Sequence, residues 1–421
     1  MTTLVGILTS PSPHLPTSPP PPLLRQVLFS SLIATGLVFG IRWLGLLQPL
    51  ELWAFDRFLT LRPQETPDSR LLIVTIDEAD IQAQHPDQRR GSLSDRAFDQ
   101  LLKRLLPYQP RVIGLDIYRD FPTSPQYPEL IQQLRQNQRL VAICKGSDAQ
   151  YDPAGVAPPP EMLESRLGFS DFIEDNDGIL RRQTLFRDPE PASACSTPYA
   201  FSTRLAFRYL EAEKITPEFT SAGNLKLGNT VFPRLGTQTG GYQGADHRGN
   251  RVLLNYRALP PRSIAPQVTL TQVLKGQIRP EAIRDRVILI GVIANSSGDF
   301  WLTPYSARTA EQPSEQVPGV FIQAQMISQM ISAVLDQRPL MTAWHWTGEG
   351  LWIWVWAAIG GIGMGWGQRL SRQSLASMIA LSILAGLSLF LLIQGIWVPL
   401  IPAGMALMLT AGITNFWKRK F

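Results

Sequence analysis

Three apolar runs in this chain end in residues that carry chemistry. Leu71-Leu72-Ile73-Val74-Thr75-Ile76 ends in Asp77-Glu78, and Arg111-Val112-Ile113-Gly114-Leu115 ends in Asp116. Val287-Ile288-Leu289-Ile290 closes on Gly291 and is followed by Asn295-Ser296-Ser297-Gly298-Asp299. Carboxylate, amide and hydroxyl oxygens converging from three loops would hold a hard cation such as Mg²⁺ or Ca²⁺, or bind a polar ligand directly. The same residue types also accept bonds from loop amides and cap helices. A second group, Asp175-Asn176-Asp177-Gly178-Ile179-Leu180-Arg181-Arg182, combines a tight Asp-Gly turn with two arginines. The arginines would pair with the acids or grip an anion in two places. The candidate ligand residues are therefore Asp77, Glu78, Asp116, Asp175, Asp177, Arg181, Arg182, Asn295 and Asp299. No EF-hand spacing occurs, the four histidines are scattered, and no Ser-His-Asp, Cys-His or zinc-ligand pattern is present. No catalytic residue and no cofactor is expected, with Mg²⁺ or Ca²⁺ as the alternative.

Positioning these residues requires strands buried on both faces. The runs at 71–76, 111–115, 139–143 and 286–291 are continuous in β-branched and aliphatic residues. Helical patterns lie between or beside them, at 93–106 with Ser94 as N-cap, 128–138, 270–274, 280–283 and 318–335. Such an alternation predicts a mostly parallel sheet covered on each side, whose ligands settle at the carboxyl ends of the strands. The part from about 150 to 265 is rich in Pro and Gly and has hairpin-like pieces at 224–232 and 252–256. It reads as an irregular β-rich insertion. The expected class is an α/β extracytoplasmic domain plus four transmembrane helices.

Those helices set the organisation. Gln26 to Ile41 carries no charge, and Arg42 is the only charge before Glu51. Gly350 to Gly367 is a second charge-free run with Trp352, Trp354, Trp356 and Trp366 near its ends, as the membrane–water interface favours. Residues 373 to 417 carry no charge, enough for two spans with a turn around Gln394-Gly395 and Pro399. The expected divisions are a Pro-rich cytoplasmic tail over 1–24, spans at 25–48, 349–368, 374–393 and 396–416, a folded domain over 50–340, and a basic end at 417–421. Basic residues cluster in the link Gly367 to Arg372 and in Lys418-Arg419-Lys420. By the positive-inside rule both belong in the cytoplasm. This puts residues 50–348 outside, both termini inside, and the chain in the plasma (inner) membrane as a multi-pass protein. The first apolar stretch is long and lacks a small-x-small site after it, so it reads as an uncleaved anchor.

The net charge of +5 is modest for 421 residues, and much of it sits at the membrane flanks. It is therefore no signature of nucleic-acid binding. Cys144 and Cys195 both fall in the outside part, where a disulfide is permitted; Cys144 equally suits a buried small hydrophobe at the end of Leu140-Val141-Ala142-Ile143. Pro11 to Pro22 holds seven prolines in twelve residues and reads as a disordered or polyproline tail.

An ordered set of pieces carries a family resemblance. Phe55-Asp56 with Leu61-Arg62-Pro63, Ile73-Val74-x-Ile76-Asp77-Glu78 and Val112-Ile113-Gly114-Leu115-Asp116 come first. Asp177-Gly178-Ile179-Leu180-Arg181-Arg182, Asn255-Tyr256, Val287-Ile288-Leu289-Ile290-Gly291 and Val317-Pro318-Gly319-Val320 follow. Together, over about residues 50 to 340, they resemble the CHASE domain of the second type, the cyclase/histidine-kinase-associated sensory extracellular domain. One span before and three after the sensor is also that family's layout. The resemblance implies ligand sensing in a bacterial transmembrane receptor. Two features depart from it. His85-Pro86-Asp87-Gln88-Arg89-Arg90-Gly91-Ser92 stands where relatives carry a Trp-Pro-Arg-like stretch, and no kinase, cyclase or phosphatase segment follows Trp417 in this sequence.

Three functions are consistent with these readings. The first is a receptor subunit in the lipid bilayer that binds a small ligand outside and signals through its spans to a separate protein carrying the output domain, with a homodimer as one arrangement open to it. The second is a structural or assembly membrane protein that has kept the sensor fold without sensing. The third is a metal-dependent extracytoplasmic hydrolase built on the acidic residues.

Overall fold

The computed structural model describes residues 21–85, 89–147, 152–244, 249–306, 315–365 and 370–420. The expectations made for the tail before residue 21, for residues 86–88, for the basic link at 366–369 and for Phe421 lie outside the described residues.

The chain divides into two units. The larger comprises Gln48–Trp346 together with Leu387–Val398. It opens with helix α2 (Gln48–Thr60), which follows α1 (Pro21–Trp43) of the other unit. Its early strands are β1 (Leu71–Ile76), β2 (Val112–Asp116), β3 (Leu140–Cys144), β4 (Leu167–Phe169) and β5 (Arg182–Phe186). The remaining strands are β6 (Pro217–Phe219), β7 (Leu225–Leu227), β8 (Thr230–Phe232), β9 (Asn250–Leu253), β10 (Gln267–Thr269), β11 (Val287–Val292), β12 (Phe300–Trp301), β13 (Val317–Pro318), β14 (Thr342–Ala343) and β15 (Ile396–Trp397). The helices among them are α3 (Glu78–Gln82), α4 (Asp95–Leu105), α5 (Pro128–Gln136), α6 (Phe201–Glu211), α7 (Leu270–Leu274) and α8 (Gly319–Leu335).

The sheet that carries the domain has six strands in the order β10-β1-β11-β2-β3-β4, and every pairing is parallel. Alternate side chains divide between its faces, as the pleat requires. Leu72, Val74, Ile76, Ile113, Leu115, Ile288 and Ile290 pack with Phe98, Leu101, Leu130, Leu134, Leu270 and Val273 of α4, α5 and α7. Leu71, Ile73, Val112, Val141, Ile143, Val287 and Leu289 pack on the other face with Phe201, Leu205, Phe321, Ile322 and Ile327 of α6 and α8. Gly291 fits this second face closely, because a Cβ there would collide with the Val320 side chain.

Local signals place the helices. Ser94 caps α4 by accepting from the Ala97 N–H, and Asp77 and Thr269 close capping boxes at α3 and α7. The segment expected to be an irregular insertion supplies the antiparallel pair β5–β9 and the three-stranded β6-β7-β8. It also supplies two parts of the main body that the sequence reading did not place there, the edge strand β4 and helix α6. Their Pro- and Gly-rich surroundings hid them: β4 has only three residues, and α6 follows a loop without a side-chain cap. Cys144 and Cys195 are bonded, with their Cα atoms 5.5 Å apart. This ties the end of β3 to the loop that leads into α6.

The smaller unit holds α1, α9 (Trp346–Gly365), most of α10 (Leu370–Ile393) and α11 (Leu400–Lys420). Three of its helices contain stretches long and apolar enough to cross a membrane: Leu24–Trp43, Ser371–Ile393 and Leu400–Trp417. The span expected over 349–368 is a helix, α9, over its described residues, and it is not one of those three stretches. Glu349 pairs with Arg42 of α1 at 2.7 Å, both side chains being almost fully buried. Val38, Ile353, Ala357 and Ala406 form a common cluster in this unit, and Trp356, Leu384, Ala403 and Leu407 form another.

Candidate functional site

Strand order brings the acid-bearing loops together. β11 lies between β1 and β2, with Thr75, Gly291 and Asp116 in register across the three strands. The chain therefore leaves β1 and returns in β2 two places away, and the carboxyl ends on either side of β11 diverge. Such a crevice is where ligands settle in parallel sheets.

Asp116 is half-buried at the end of β2. Desolvation, with the charge of nearby Asp299 added to it, pushes its carboxyl well above the usual carboxylate range. Burial raises Asp299 too. Bonds from the Trp301 indole N–H, at 2.7 Å, and from the Gly319 N–H at the start of α8 work against that rise without cancelling it. Two carboxyls in this situation cannot both ionise freely, so they favour holding a proton or a cation between them. Gly319 leaves room for the Asp299 carboxylate, into which any Cβ at that position would run. Around the pair, the Trp301 and Phe172 rings meet edge to face at 5.1 Å, and the Tyr118 and Ser170 hydroxyls share a hydrogen bond of 2.7 Å. Tyr118 lies two residues beyond Asp116, and Ser170 directly follows β4, so both belong to the same edge of the sheet.

The other acids of the first group have local tasks. Asp77 is the N-cap of α3, where it accepts from the Asp80 N–H at 2.8 Å. Glu78 accepts from the Ser296 hydroxyl at 2.8 Å and so links the loops after β1 and β11. Asn295 opens the short turn Asn295–Ser297 and lines an open depression of about 570 Å³ with Arg262, Gly298, Phe300, Glu315 and Gln316. Among the described residues, no three His, Cys, Asp or Glu side chains converge as a metal cluster would require.

The second group closes on itself. Arg181 is only 1% exposed and spends all five N–H donors on carboxylates. Nε and Nη2 hold Asp56 of α2 at 2.8 and 2.7 Å, Nη1 reaches Asp175 at 2.8 Å, and Nη1 and Nη2 hold Asp177 at 2.9 and 2.6 Å. Arg182 reaches the other oxygen of Asp175 at 2.8 Å and lies over the Tyr242 ring. The Tyr242 hydroxyl donates to Asp175 at 2.6 Å. Of the two readings open for these arginines, pairing with acids is what the structure shows, with Asp56 joining Asp175 and Asp177. Asp116 and Asp299 are brought together, then, while Asp175, Asp177, Arg181 and Arg182 form a separate cluster with Asp56 and Tyr242.

Sequence reasoning missed Tyr118, Ser170, Phe172, Trp301 and Tyr242. Tyr118 was within reach of the period-two rule, as the second residue past a strand-end aspartate. The others sit in short loops that only the tertiary fold brings in.

The described residues define an α/β domain built on a parallel sheet, in a chain that also holds helices apolar enough to cross a membrane. The CHASE2 domain matches residues 33–362, and the chain belongs to this family of extracellular sensory domains. No curated protein and no solved structure matches the chain.

Proposed function

We propose that the chain is a membrane-anchored extracytoplasmic sensor that takes a small ligand at the carboxyl edge of its parallel sheet and passes the outcome through its spans to a separate partner. Asp116 and Asp299 are the residues that meet the ligand, Trp301 and Gly319 position Asp299, and Phe172, Tyr118 and Ser170 form the surroundings. The observation that carries this reading is the pair of mutually repelling carboxyls at a strand-end crevice. Each costs stability as it stands, and a ligand that neutralised the pair would repay that cost on binding alone. The family's sensory character supports it.

The reading carries an orientation, in which residues 50–348 face away from the cytoplasm and α9 crosses the membrane as a fourth span. The domain's disulfide agrees with an oxidising compartment. What the spans relay is limited by the difference in ligand affinity between two conformations, typically about 1–3 kcal/mol.

The test is a thermal-shift and calorimetric screen of small polar compounds and cations against the full chain in detergent. Each hit is then repeated on Asp116→Asn and Asp299→Asn. Loss of binding in both variants with the fold retained supports the site. Binding unchanged in both places the ligand elsewhere.

A further inference from the structure

Helix α2 has two apolar faces, and the fold covers only one. Leu52, Phe55 and Leu59 are buried among Tyr242, Leu253, Met341 and Trp397. On the other side Leu50, Trp53 and Leu61 are 51, 56 and 63% exposed. Arg57 shares that side, its guanidinium 5.8 Å from the centre of the Trp53 ring. Leu61 continues the helical path, its N–H bonded to the Arg57 carbonyl at 3.2 Å. Positions 50, 53, 57 and 61 are three, four and four residues apart, which lines them along one stripe. A stripe with two large aliphatic side chains and a Trp is a poor surface to leave in water.

The chain itself indicates what covers the stripe. α2 begins five residues after Trp43, the last residue of a helix long and apolar enough to cross a membrane. Even fully extended, that link reaches no more than roughly 18 Å. The start of α2 is therefore tethered close to the edge of the hydrocarbon layer. The stripe has the composition that zone selects: a Trp whose ring suits the headgroup level, aliphatic side chains for the acyl boundary, and an arginine that can bond lipid phosphates through two N–H groups.

We propose that the outer face of α2 is a lipid-docking surface, lying along the bilayer with Leu50, Trp53 and Leu61 in the headgroup–acyl boundary and Arg57 on lipid phosphate. This concerns a different face from the ligand crevice and stands or falls separately from it. The inner face of the same helix carries Asp56, held by Arg181, and Phe55, whose ring lies 4.5 Å from that of Trp397. A helix resting on lipid would in this way be clamped to the sensor domain along its whole inner side.

The test uses the full chain in lipid nanodiscs. Both native cysteines are consumed in the disulfide, so a single introduced cysteine is the only thiol a nitroxide can label. Labels at Leu50→Cys, Trp53→Cys and, as a water-facing reference on exposed β6, Glu218→Cys are compared by collision with oxygen, which partitions into lipid, and with a water-soluble nickel chelate. The expected result is a several-fold preference for oxygen at 50 and 53 and the reverse at 218. Labels at 50 and 53 that behave like 218 would show a water-facing helix and overturn the proposal. Labels shielded from both reagents would show a protein partner on this face, such as a second copy of the chain, and overturn it equally. Position 50 makes the test independent of any disturbance caused by removing the Trp53 ring.

Discussion

Replacing Arg181 with methionine removes the one group that neutralises three acids at once. Asp56 and Asp175 are 9 and 7% exposed. After the change Asp56 has no cation, and Asp175 retains only Arg182 and the Tyr242 hydroxyl. Breaking a buried pair by removing one member typically costs about 3–5 kcal/mol, most of it the penalty of the charge left behind. For a domain of this size, where each kcal/mol moves Tm by about 2 °C, Arg181→Met should lower the midpoint by about 6–10 °C. Asp177 offers an internal control. It bonds the same guanidinium, but its side chain is 41% exposed, so water screens the pair and Asp177→Asn should cost no more than about 1 kcal/mol. Adding Asp56→Asn to Arg181→Met should restore part of the loss, because it removes the stranded charge. The assay is thermal unfolding of the full chain in detergent, followed by intrinsic fluorescence. An Arg181→Met loss no larger than that of Asp177→Asn would refute the claim that this cluster holds α2 to the domain.

Other expected outcomes follow from the same reasoning. Asp116 and Asp299 are raised in the folded chain, so the stability they cost is absent below the ordinary carboxylate range and is incurred as pH rises through their folded values; Asp116→Asn should therefore raise Tm at neutral pH and leave it nearly unchanged near pH 4, which a pH series of melting curves would check. Glu65 behaves oppositely. Burial works to raise it, but bonds from Arg338 at 2.7 and 3.0 Å and from the Ala258 N–H prevail and hold it at about 2, so its contribution is full above about pH 4.5 and fades between there and about pH 2; Glu65→Gln should flatten that part of the acid-unfolding curve. The disulfide spans a sequence separation of 51, and on the loop-entropy relation its reduction should cost about 4 kcal/mol, seen as a fall in denaturation midpoint with reductant that the Cys144→Ala/Cys195→Ala variant shows without it. Gly319→Ala should displace the Asp299 carboxylate, and calorimetry should then show weakened binding of any ligand that Asp116→Asn also weakens.

How much of this could be read from the sequence depends on whether a feature is local. The strands at 71–76, 112–116 and 287–292 were legible because burial on both faces forces continuous apolar runs. Ser94 was legible as a cap because the capping bond reaches only three residues. β4 and α6 were not. β4 is three residues paired with one strand, and α6 is placed by packing Phe201 and Leu205 on the sheet, against Gly168 and Gly114, which are distant in sequence. For the site, strand-end position singled out Asp116 and the loop with Asp299, but strand order decided which loops meet. The insertion of β11 between β1 and β2 is a tertiary fact that no periodicity records. Asp175 and Arg181 illustrate the converse. Their chemistry was visible, but Asp56, which completes the cluster, lies 125 residues from Arg181, so a self-satisfied network and an open anion site looked the same.

The turn between α10 and α11 bears on the proposed relay. In sequence it is an uncharged connection, yet Leu387–Val398 folds with the larger unit. β15 pairs there with β14, and Trp397, 4% exposed, packs against Phe55 and Tyr242 at 4.5 and 5.9 Å between ring centres. Tyr242 donates to Asp175, Asp175 pairs with Arg181, and Arg181 holds Asp56 on the helix of Phe55. The circuit is closed and buried, so its members cannot move singly: shifting α2 strains Arg181 and presses on Trp397 together. Contiguity of this kind is a route for coupling only if the domain has two arrangements that a ligand tells apart. The carboxyl pair at Asp116 and Asp299 provides a reason for two, since its protonated or neutralised form and its ionised form repel to different degrees. α8 begins beside that pair at Gly319, and its Gln329 side chain accepts from the Asn255 N–H at 2.5 Å, close in sequence to Leu253, which packs with Phe55 and Trp397. A change at the crevice that shifted α8 along its axis would therefore reach both α2 and the turn through buried contacts alone.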